Sequence, residues 1–115
     1  MGGESRHLHI LWTNADPLTA QFMVMMYATN AMKRGWWDAV TVVVWGATAK
    51  LAAENEAVRE GIRTAQREGV RFSACVACAR ELGVVEALEA MEIEIKPWGK
   101  PLTDLIDSRA PLITV

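Results

Sequence analysis

Two cysteines, three residues apart, are the side chains of this sequence best suited to covalent chemistry. Cys75 and Cys78 stand in the stretch "VRFSACVACARELGV", where an apolar run gives way to a helical pattern. Backbone amides and the helix dipole stabilise a thiolate at the start of a helix, so a Cys-x-x-Cys there is typical of reactive thiols. We expect Cys75 to lie at this junction, with its pKa lowered from about 8.5 toward about 7. Apolar packing around the sulfur would oppose that shift.

Cys78 follows about one turn into the predicted helix, among alanines. It is a secondary thiol, and a small buried core residue is as good an interpretation of it as a chemical role. Together with Cys75 it would form a redox dithiol of the thioredoxin type. However, the motif follows the third predicted strand and lacks the aromatic and proline neighbours usual in that fold.

A metal site is another interpretation, because His7 and His9 together with the two cysteines supply four potential ligands. The histidines open the first predicted strand, whereas the cysteines close the third at its opposite end. A strand of five or six residues spans about 17 to 20 Å, and zinc–ligand bonds are only about 2.0 to 2.3 Å long. We therefore predict no metal site and no nucleophile–histidine pair, and we interpret the histidines as polar residues at a strand end.

The elements that position the cysteines follow from hydrophobic periodicity. The β-branched run "AVTVVVWG" (39–46) predicts a strand covered on both faces, which is typical of a parallel sheet. Strand patterns also occur in "HLHILWT" (7–13), "VRFSACV", "IEIKP" and "LITV", with helical patterns between them. This alternation predicts one α/β domain over residues 1–115. Its architecture is a three-layer α/β/α sandwich with a mostly parallel sheet of about five strands.

Composition excludes several classes of function. The 115 residues carry a net charge of -2 with no long run of one sign, so no electrostatic footprint for nucleic acid is present. No apolar stretch approaches the roughly 20 residues of a membrane span, and the start lacks signal-peptide character. We expect a cytoplasmic protein without nucleic-acid or membrane partners. In a reducing compartment, a structural disulfide is disfavoured.

Ligands of open parallel sheets bind beyond the carboxyl ends of the strands, next to helix amino termini. The loops "TNADP", "WGATA" and "ACVAC" are predicted to meet there. They and the later Trp98 supply the candidate pocket residues: Asn14, Asp16, Trp45, Thr48 and Trp98. Simpler roles exist for three of them, since Asp16 can cap a helix, Trp45 can fill the core and Trp98 can be a semi-exposed partner contact.

The first long helix, running to about Gly35, bears on assembly. Its pattern places a stripe on the sheet, formed by Leu18, Phe22, Met25, Thr29 and Met32. A second apolar set lies off that stripe and comprises Met23, Met26, Tyr27 and Trp36 or Trp37. A monomer should be polar there, so we predict a homo-oligomer with this helix at or near a subunit contact.

Three stretches together resemble the DsrE/DsrF-like family, which includes the YchN-like and TusD-like proteins of sulfur metabolism. They are "EGVRFSACVACARELGV", "AVTVVVWG" and the closing "PLTDLIDSRAPLITV", and the resemblance covers nearly the whole chain. It implies a three-layer sandwich that assembles as a dimer, trimer or hexamer. It also implies a persulfide-carrying cysteine at Cys75, needing no metal or organic cofactor, with sulfur donor and acceptor proteins as partners. One departure is the loop "WGATAKLAAEN", where many relatives have an acidic residue and Gly.

Three functions are therefore compatible with the sequence. The first is a sulfur carrier or sulfurtransferase that uses Cys75. The second is a non-catalytic oligomeric binding module, and the third is a dithiol redox protein that uses Cys75 and Cys78. They differ in what each cysteine does when sulfane sulfur is supplied.

Overall fold

A computed structural model describes residues 5–115 and contains a single five-stranded sheet. All neighbouring strands are parallel, in the order β4-β3-β2-β1-β5. The strands are β1 His7–Trp12, β2 Ala39–Val44, β3 Arg71–Cys75, β4 Glu94–Lys96 and β5 Leu112–Thr114. With helices on both sides of this sheet, the predicted α/β/α sandwich is confirmed.

The helices fall between the strands, as the periodicity predicts. The first long helix consists of α1 Pro17–Thr19, a π-helical segment Ala20–Met25, and α2 Met26–Lys33. The others are α3 Thr48–Glu54, α4 Glu56–Arg67, α5 Val76–Glu81, α6 Val85–Glu89 and α7 Gly99–Asp107. Asp16 caps the first helix by accepting the Thr19 amide at 2.8 Å. Gly69 follows α4 with a φ of +99°, which a glycine adopts without steric cost.

Alternation along the strands separates the two faces of the sheet. In β1, Leu8, Ile10 and Trp12 are buried, whereas His7, His9 and Leu11 on the other face are partly exposed. The buried face packs under the helices before β4 and carries the main hydrophobic core. The opposite face, here called the α7 face, is crossed by the α7 connection from β4 back to β5, and Leu105 of α7 packs there. No residue of α7 is buried, so this face is only partly covered.

The packing side of the first long helix differs from the prediction. Leu18 and Phe22 are 64% and 62% exposed, and of the predicted stripe only Met25 is buried. The buried residues of this helix are Ala20, Val24, Met25, Ala28 and Ala31, and the partly buried Tyr27 and Met32 pack against the same core. Two physical causes explain the difference. The π-helical segment has a wider turn than the 3.6-residue period assumed, and alanines allow the helix to lie close to its neighbours.

Candidate functional site

The two cysteines lie at the carboxyl edge of the sheet, as expected. Cys75 is the last residue of β3 and the N-cap of α5, and Cys78 lies within α5. Both thiols are free. Cys75 is only 7% exposed and belongs to a small cluster, here called the thiol cluster, on the α7 face. Its members are Val43, Cys75 and Trp98, with Leu11, Trp45, Cys78 and Leu105 packed against them.

The amide that meets a sulfur atom comes from an unexpected position. The Gly46 N–H, just beyond the end of β2, donates to Cys78 Sγ at 3.2 Å. Gly46 adopts a φ of +72°, a conformation that favours glycine. By contrast, the Cys75 side chain accepts no capping hydrogen bond at the start of α5. The expectation that helix amides hold the Cys75 sulfur is therefore wrong, because the side chain turns onto the α7 face.

Cys78 keeps its proton more firmly than a free cysteine. Burial raises the pKa of its thiol and the neighbouring Cys75 thiol raises the pKa further, while the Gly46 amide acts in the opposite direction. The balance is a raised pKa, so Cys78 is a neutral thiol at pH 7. A neutral thiol packed close to Cys75 can supply its proton to an anion on the neighbouring sulfur.

Three of the candidate pocket residues are structural and lie outside the thiol cluster. The Asn14 side chain accepts the Asp16 amide at 2.9 Å, and both residues are exposed where they organise the start of the first helix. Thr48 is completely buried, and its hydroxyl donates to the Trp12 carbonyl at 2.8 Å. A pocket role for Thr48 is therefore wrong, since its hydroxyl is used to join the ends of β1 and β2.

The two candidate tryptophans do join the thiols. Trp45 packs against the thiol cluster from the loop after β2, and Trp98 lies within the cluster. Trp98 is 3% exposed, and its Nε1 donates to Ser73 Oγ at 2.8 Å. The interpretation of Trp98 as a semi-exposed partner contact is therefore wrong, because the indole is buried on the α7 face.

The same face carries a second site, which was not predicted from the sequence. A cavity of about 560 Å³, here called the polar cavity, lies on the α7 face toward the amino ends of β1, β2 and β3 and along β4. Its polar lining includes His7, His9, Arg71, Ser73, Glu94 and Lys96. The strand register aligns His9 with Thr41 and Thr41 with Arg71, so polar side chains of three strands form one row. One feature of the sequence could have predicted this site: polar residues stand two apart in β1, β3 and β4, which indicates that one face of the sheet is not fully covered.

The histidines of the polar cavity are held by short-range contacts. Their rings stack with centroids 4.1 Å apart, and His7 Nε2 lies 2.8 Å from Thr41 Oγ1. Burial lowers the pKa of His9 to about 4, and the charges of His7 and Lys96 act in the same direction. Burial and the Arg71 charge also lower the pKa of His7. Both imidazoles are therefore neutral at pH 7.

Metal-binding and membrane-spanning features are absent from residues 5–115. The described part of the chain contains no group of three or more His, Cys, Asp or Glu side chains placed to hold a metal ion. In the same range, none of the helices has the length and apolarity required to span a bilayer.

Comparison with solved structures places the chain among known proteins. It superimposes on a conserved protein of unknown function, BT1422 from Bacteroides thetaiotaomicron, with a TM-score of 0.92. The two are 31% identical over 95% of this chain and 94% of the other. The chain belongs to the BT1422 family. No protein-family model matches the chain, and no curated protein matches it.

The BT1422-family fold is also that of the ychN protein from E. coli. That structure matches with a TM-score of 0.69 and 10% identity, over 97% of this chain and 100% of that one. At this identity the likeness establishes a shared fold. The YchN-like architecture expected from the sequence is thus confirmed. The chemistry of the thiols does not follow from the shared fold.

Proposed function

We propose that this protein is a small sulfur-relay protein that carries sulfane sulfur as a persulfide on Cys75. The observation that supports the proposal best is the contact between two free thiols at the carboxyl edge of the parallel sheet. Cys78 holds its proton and packs in the same cluster as Cys75, so a negative charge on the Cys75 sulfur has a proton donor close to it. The sequence resemblance to sulfur-metabolism proteins points to the same residue.

The transfer step is a balanced thiol exchange. The Cys75 thiolate attacks the outer sulfur of a donor persulfide, R–S–SH. One sulfur–sulfur bond forms at Cys75 Sγ while the sulfur–sulfur bond of the donor breaks, and R–S⁻ leaves and takes up a proton. The step consumes no electrons and therefore requires no external oxidant or reductant. Delivery to an acceptor thiol is the reverse of the same exchange.

Cys78 distinguishes this function from the dithiol alternative. A thiolate at Cys78 would attack the inner sulfur of the Cys75 persulfide, forming a disulfide and releasing HS⁻, and a thiol reductant would then be needed to regenerate the pair. That attack requires Cys78 to lose its proton. Because the pKa of Cys78 is raised, its thiolate is scarce at pH 7. The electrostatics therefore favour carriage on Cys75 over disulfide formation.

Access to Cys75 depends on the elements that cover it. Trp98 and Leu105 both pack in the thiol cluster, and Leu105 belongs to α7, which has no buried residue of its own. An element with so little buried surface opens locally at low free-energy cost. Sulfur donor and acceptor proteins would reach the thiol from this side. We propose these proteins as the partners of the relay.

Site mapping with matched variants tests the proposal. The protein is incubated with cysteine persulfide, and peptide mass spectrometry locates the added sulfur atom. We expect one added sulfur on Cys75 in the wild type, none in Cys75→Ser, and retention on Cys75 in Cys78→Ser. Sulfur found on Cys78 instead would contradict the assignment of the carrier. Release of sulfide with a Cys75–Cys78 disulfide would favour the dithiol function, and no gain on either residue would favour the binding module.

A further inference from the structure

The polar cavity has the size and position of a ligand site that is separate from the thiols. Its volume of about 560 Å³ lies within the range of about 300 to 1,000 Å³ typical of small-molecule sites. Its lining residues from β1, β2 and β3 lie toward the amino ends of those strands, whereas Cys75 lies at the carboxyl edge of the sheet, where its register partner Lys96 borders the cavity. Trp98 lines the cavity and also belongs to the thiol cluster, so its indole separates the two sites.

Two cations line the polar cavity, Arg71 and Lys96, together with the carboxylates of Glu92 and Glu94. Arg71 is exposed at the start of β3 and forms no ion pair with any residue from 5 to 115. Lys96 Nζ lies 3.9 Å from Glu94 Oε1 and 4.6 Å from the centre of the Trp98 ring. An ammonium at such a distance from a carboxylate that is itself exposed is only weakly neutralised. An oxyanion entering the cavity would therefore find two positive charges that the carboxylates of Glu92 and Glu94 neutralise only in part.

A fixed hydrogen-bond acceptor faces the same space. The Trp98 Nε1 donates to Ser73 Oγ at 2.8 Å, and Ser73 Oγ donates in turn to Glu94 Oε1 at 2.7 Å. This chain of hydrogen bonds orients the Glu94 carboxylate, whose side chain remains 61% exposed. An oriented and accessible carboxylate next to two cations accepts a hydrogen bond from a ligand that has a donor group. The same carboxylate repels an anion that has no proton to donate.

The histidines complete a lining that is costly for the fold. His9 Nδ1 is buried and has no hydrogen-bond partner among residues 5–115. Leaving such an atom unpaired destabilises the folded state, because the nitrogen has lost its hydrogen bond to water without replacing it. Unsatisfied buried groups of this kind need an explanation, and a functional site is one of the common ones.

We propose that the polar cavity binds a small metabolite that carries both an oxyanion and a hydrogen-bond donor. The oxyanion lies against Arg71 and Lys96, and the donor binds the Glu94 carboxylate. Phosphate monoesters and hydroxycarboxylates share this chemistry. The proposal does not depend on Cys75, so it stands or falls separately from the sulfur-relay function.

Inorganic phosphate is a suitable probe because at pH 6.5 it combines an oxyanion with a hydroxyl donor. Phosphate is titrated at constant ionic strength, and the indole N–H signal of Trp98 is followed by NMR. Sulfate serves as the comparison, since it is an oxyanion without a proton to donate. Arg71→Gln removes the principal cation, and Arg34→Gln makes the same charge change on an exposed residue outside the cavity lining.

We expect saturable binding of phosphate with a dissociation constant in the millimolar range, and weaker binding of sulfate. Arg71→Gln should weaken phosphate binding at least about tenfold, because a charge-assisted hydrogen bond contributes that much, and Arg34→Gln should leave it unchanged. Three results would overturn the proposal: no saturable shift of the Trp98 signal, equal weakening by the two arginine variants, or equal affinity for phosphate and sulfate. Coverage of the cavity by a second copy of the chain would give the first of these results.

Discussion

Trp98 packs with Cys75 in one apolar cluster and at the same time anchors itself by donating its Nε1 proton to Ser73 Oγ at 2.8 Å. The indole therefore covers the proposed sulfur carrier on one side and lines the polar cavity on the other. Because Cys75 is only 7% exposed, the rate at which a reagent reaches its sulfur should depend on how firmly Trp98 is held.

Replacing Trp98 by phenylalanine should expose Cys75 more often. The change removes the hydrogen bond to Ser73 and part of the covering ring, which should weaken the local packing by about 1 to 2 kcal/mol. A loss of about 1 kcal/mol in the opening equilibrium corresponds to about fivefold faster alkylation of Cys75. Peptide mass spectrometry after timed iodoacetamide treatment measures this rate. Trp36→Phe, at an exposed tryptophan outside the thiol cluster, is the control, and an equal effect of both variants would show that Trp98 does not cover the thiol.

Cys78 should be less reactive than its exposure suggests. Because its pKa is raised, little thiolate is present at pH 7, so alkylation of Cys78 should be slower than in an unfolded peptide. The alkylation rate should increase only at pH values above those at which an ordinary cysteine loses its proton. In Cys75→Ala the neighbouring thiol that helps raise the pKa of Cys78 is lost, so the midpoint of the pH profile should move down. A profile for Cys78 that matches the unfolded peptide in both proteins would contradict this description of the pair.

His9 should make the protein sensitive to mild acid. Its pKa is about 4 in the folded protein, against 6.5 for a histidine free of such surroundings, so below pH 6.5 the unfolded chain binds a proton that the folded chain does not. Stability is therefore unaffected above pH 6.5 and falls as the pH drops toward 4. For a half-buried ring we expect a loss of about 1 to 2 kcal/mol after solvent screening. His7, whose pKa is also lowered, acts in the same direction.

Urea unfolding at pH 7 and at pH 4.5 measures this loss. In His9→Gln the difference between the two pH values should shrink, because glutamine does not titrate. Asp16 does not interfere, since the lowered pKa of its carboxylate confines its effect to more acidic solutions. An unchanged pH dependence in His9→Gln would show that other groups cause it.

The first long helix should mediate self-association. Its outer side exposes Leu18, Phe22 and Met26 at 64%, 62% and 48%. Placing a charge there by Phe22→Glu should shift the protein toward monomer in sedimentation velocity at micromolar concentration. Ala57→Glu adds the same charge at an exposed position of α4 and should leave the assembly unchanged. A wild-type protein that sediments only as a monomer would end this prediction.

The sequence predicts the elements better than their contacts, for physical reasons. Hydrophobic periodicity and the residues that begin and end helices are local features of the sequence. The strands, the Asp16 cap and the helix end at Gly69 can therefore be predicted from it. The π-helical segment is not readable in this way, because its wider turn changes which side of the helix packs. The Gly46 amide at Cys78 depends on a loop and a helix 32 residues apart in the chain, and the sequence contains no measure of their separation in space.

The polar cavity is an intermediate case. Alternation in β1, with His7 and His9 on the face opposite Leu8, is present in the sequence and indicates a polar sheet face. The buried run of β2 argues for coverage on both faces, and that argument holds because Val43 lies in the thiol cluster. The position of α7 decides how much of the α7 face is covered. The connection from β4 to β5 that contains α7 joins the two edge strands, and no periodicity in its sequence predicts where it crosses the sheet.

The central claim, that Cys75 carries sulfur between thiols, is tested most directly by a pulse and chase with isotopically labelled sulfur. The protein is loaded with labelled cysteine persulfide, freed of the donor and mixed with an excess of an acceptor thiol, and the label on each cysteine is followed by mass spectrometry. We predict that the label is on Cys75 after the pulse, that it moves to the acceptor as a persulfide during the chase, and that Cys78→Ser follows the same course. Label that stays on the protein, resides on Cys78 or leaves only as free sulfide would contradict the claim.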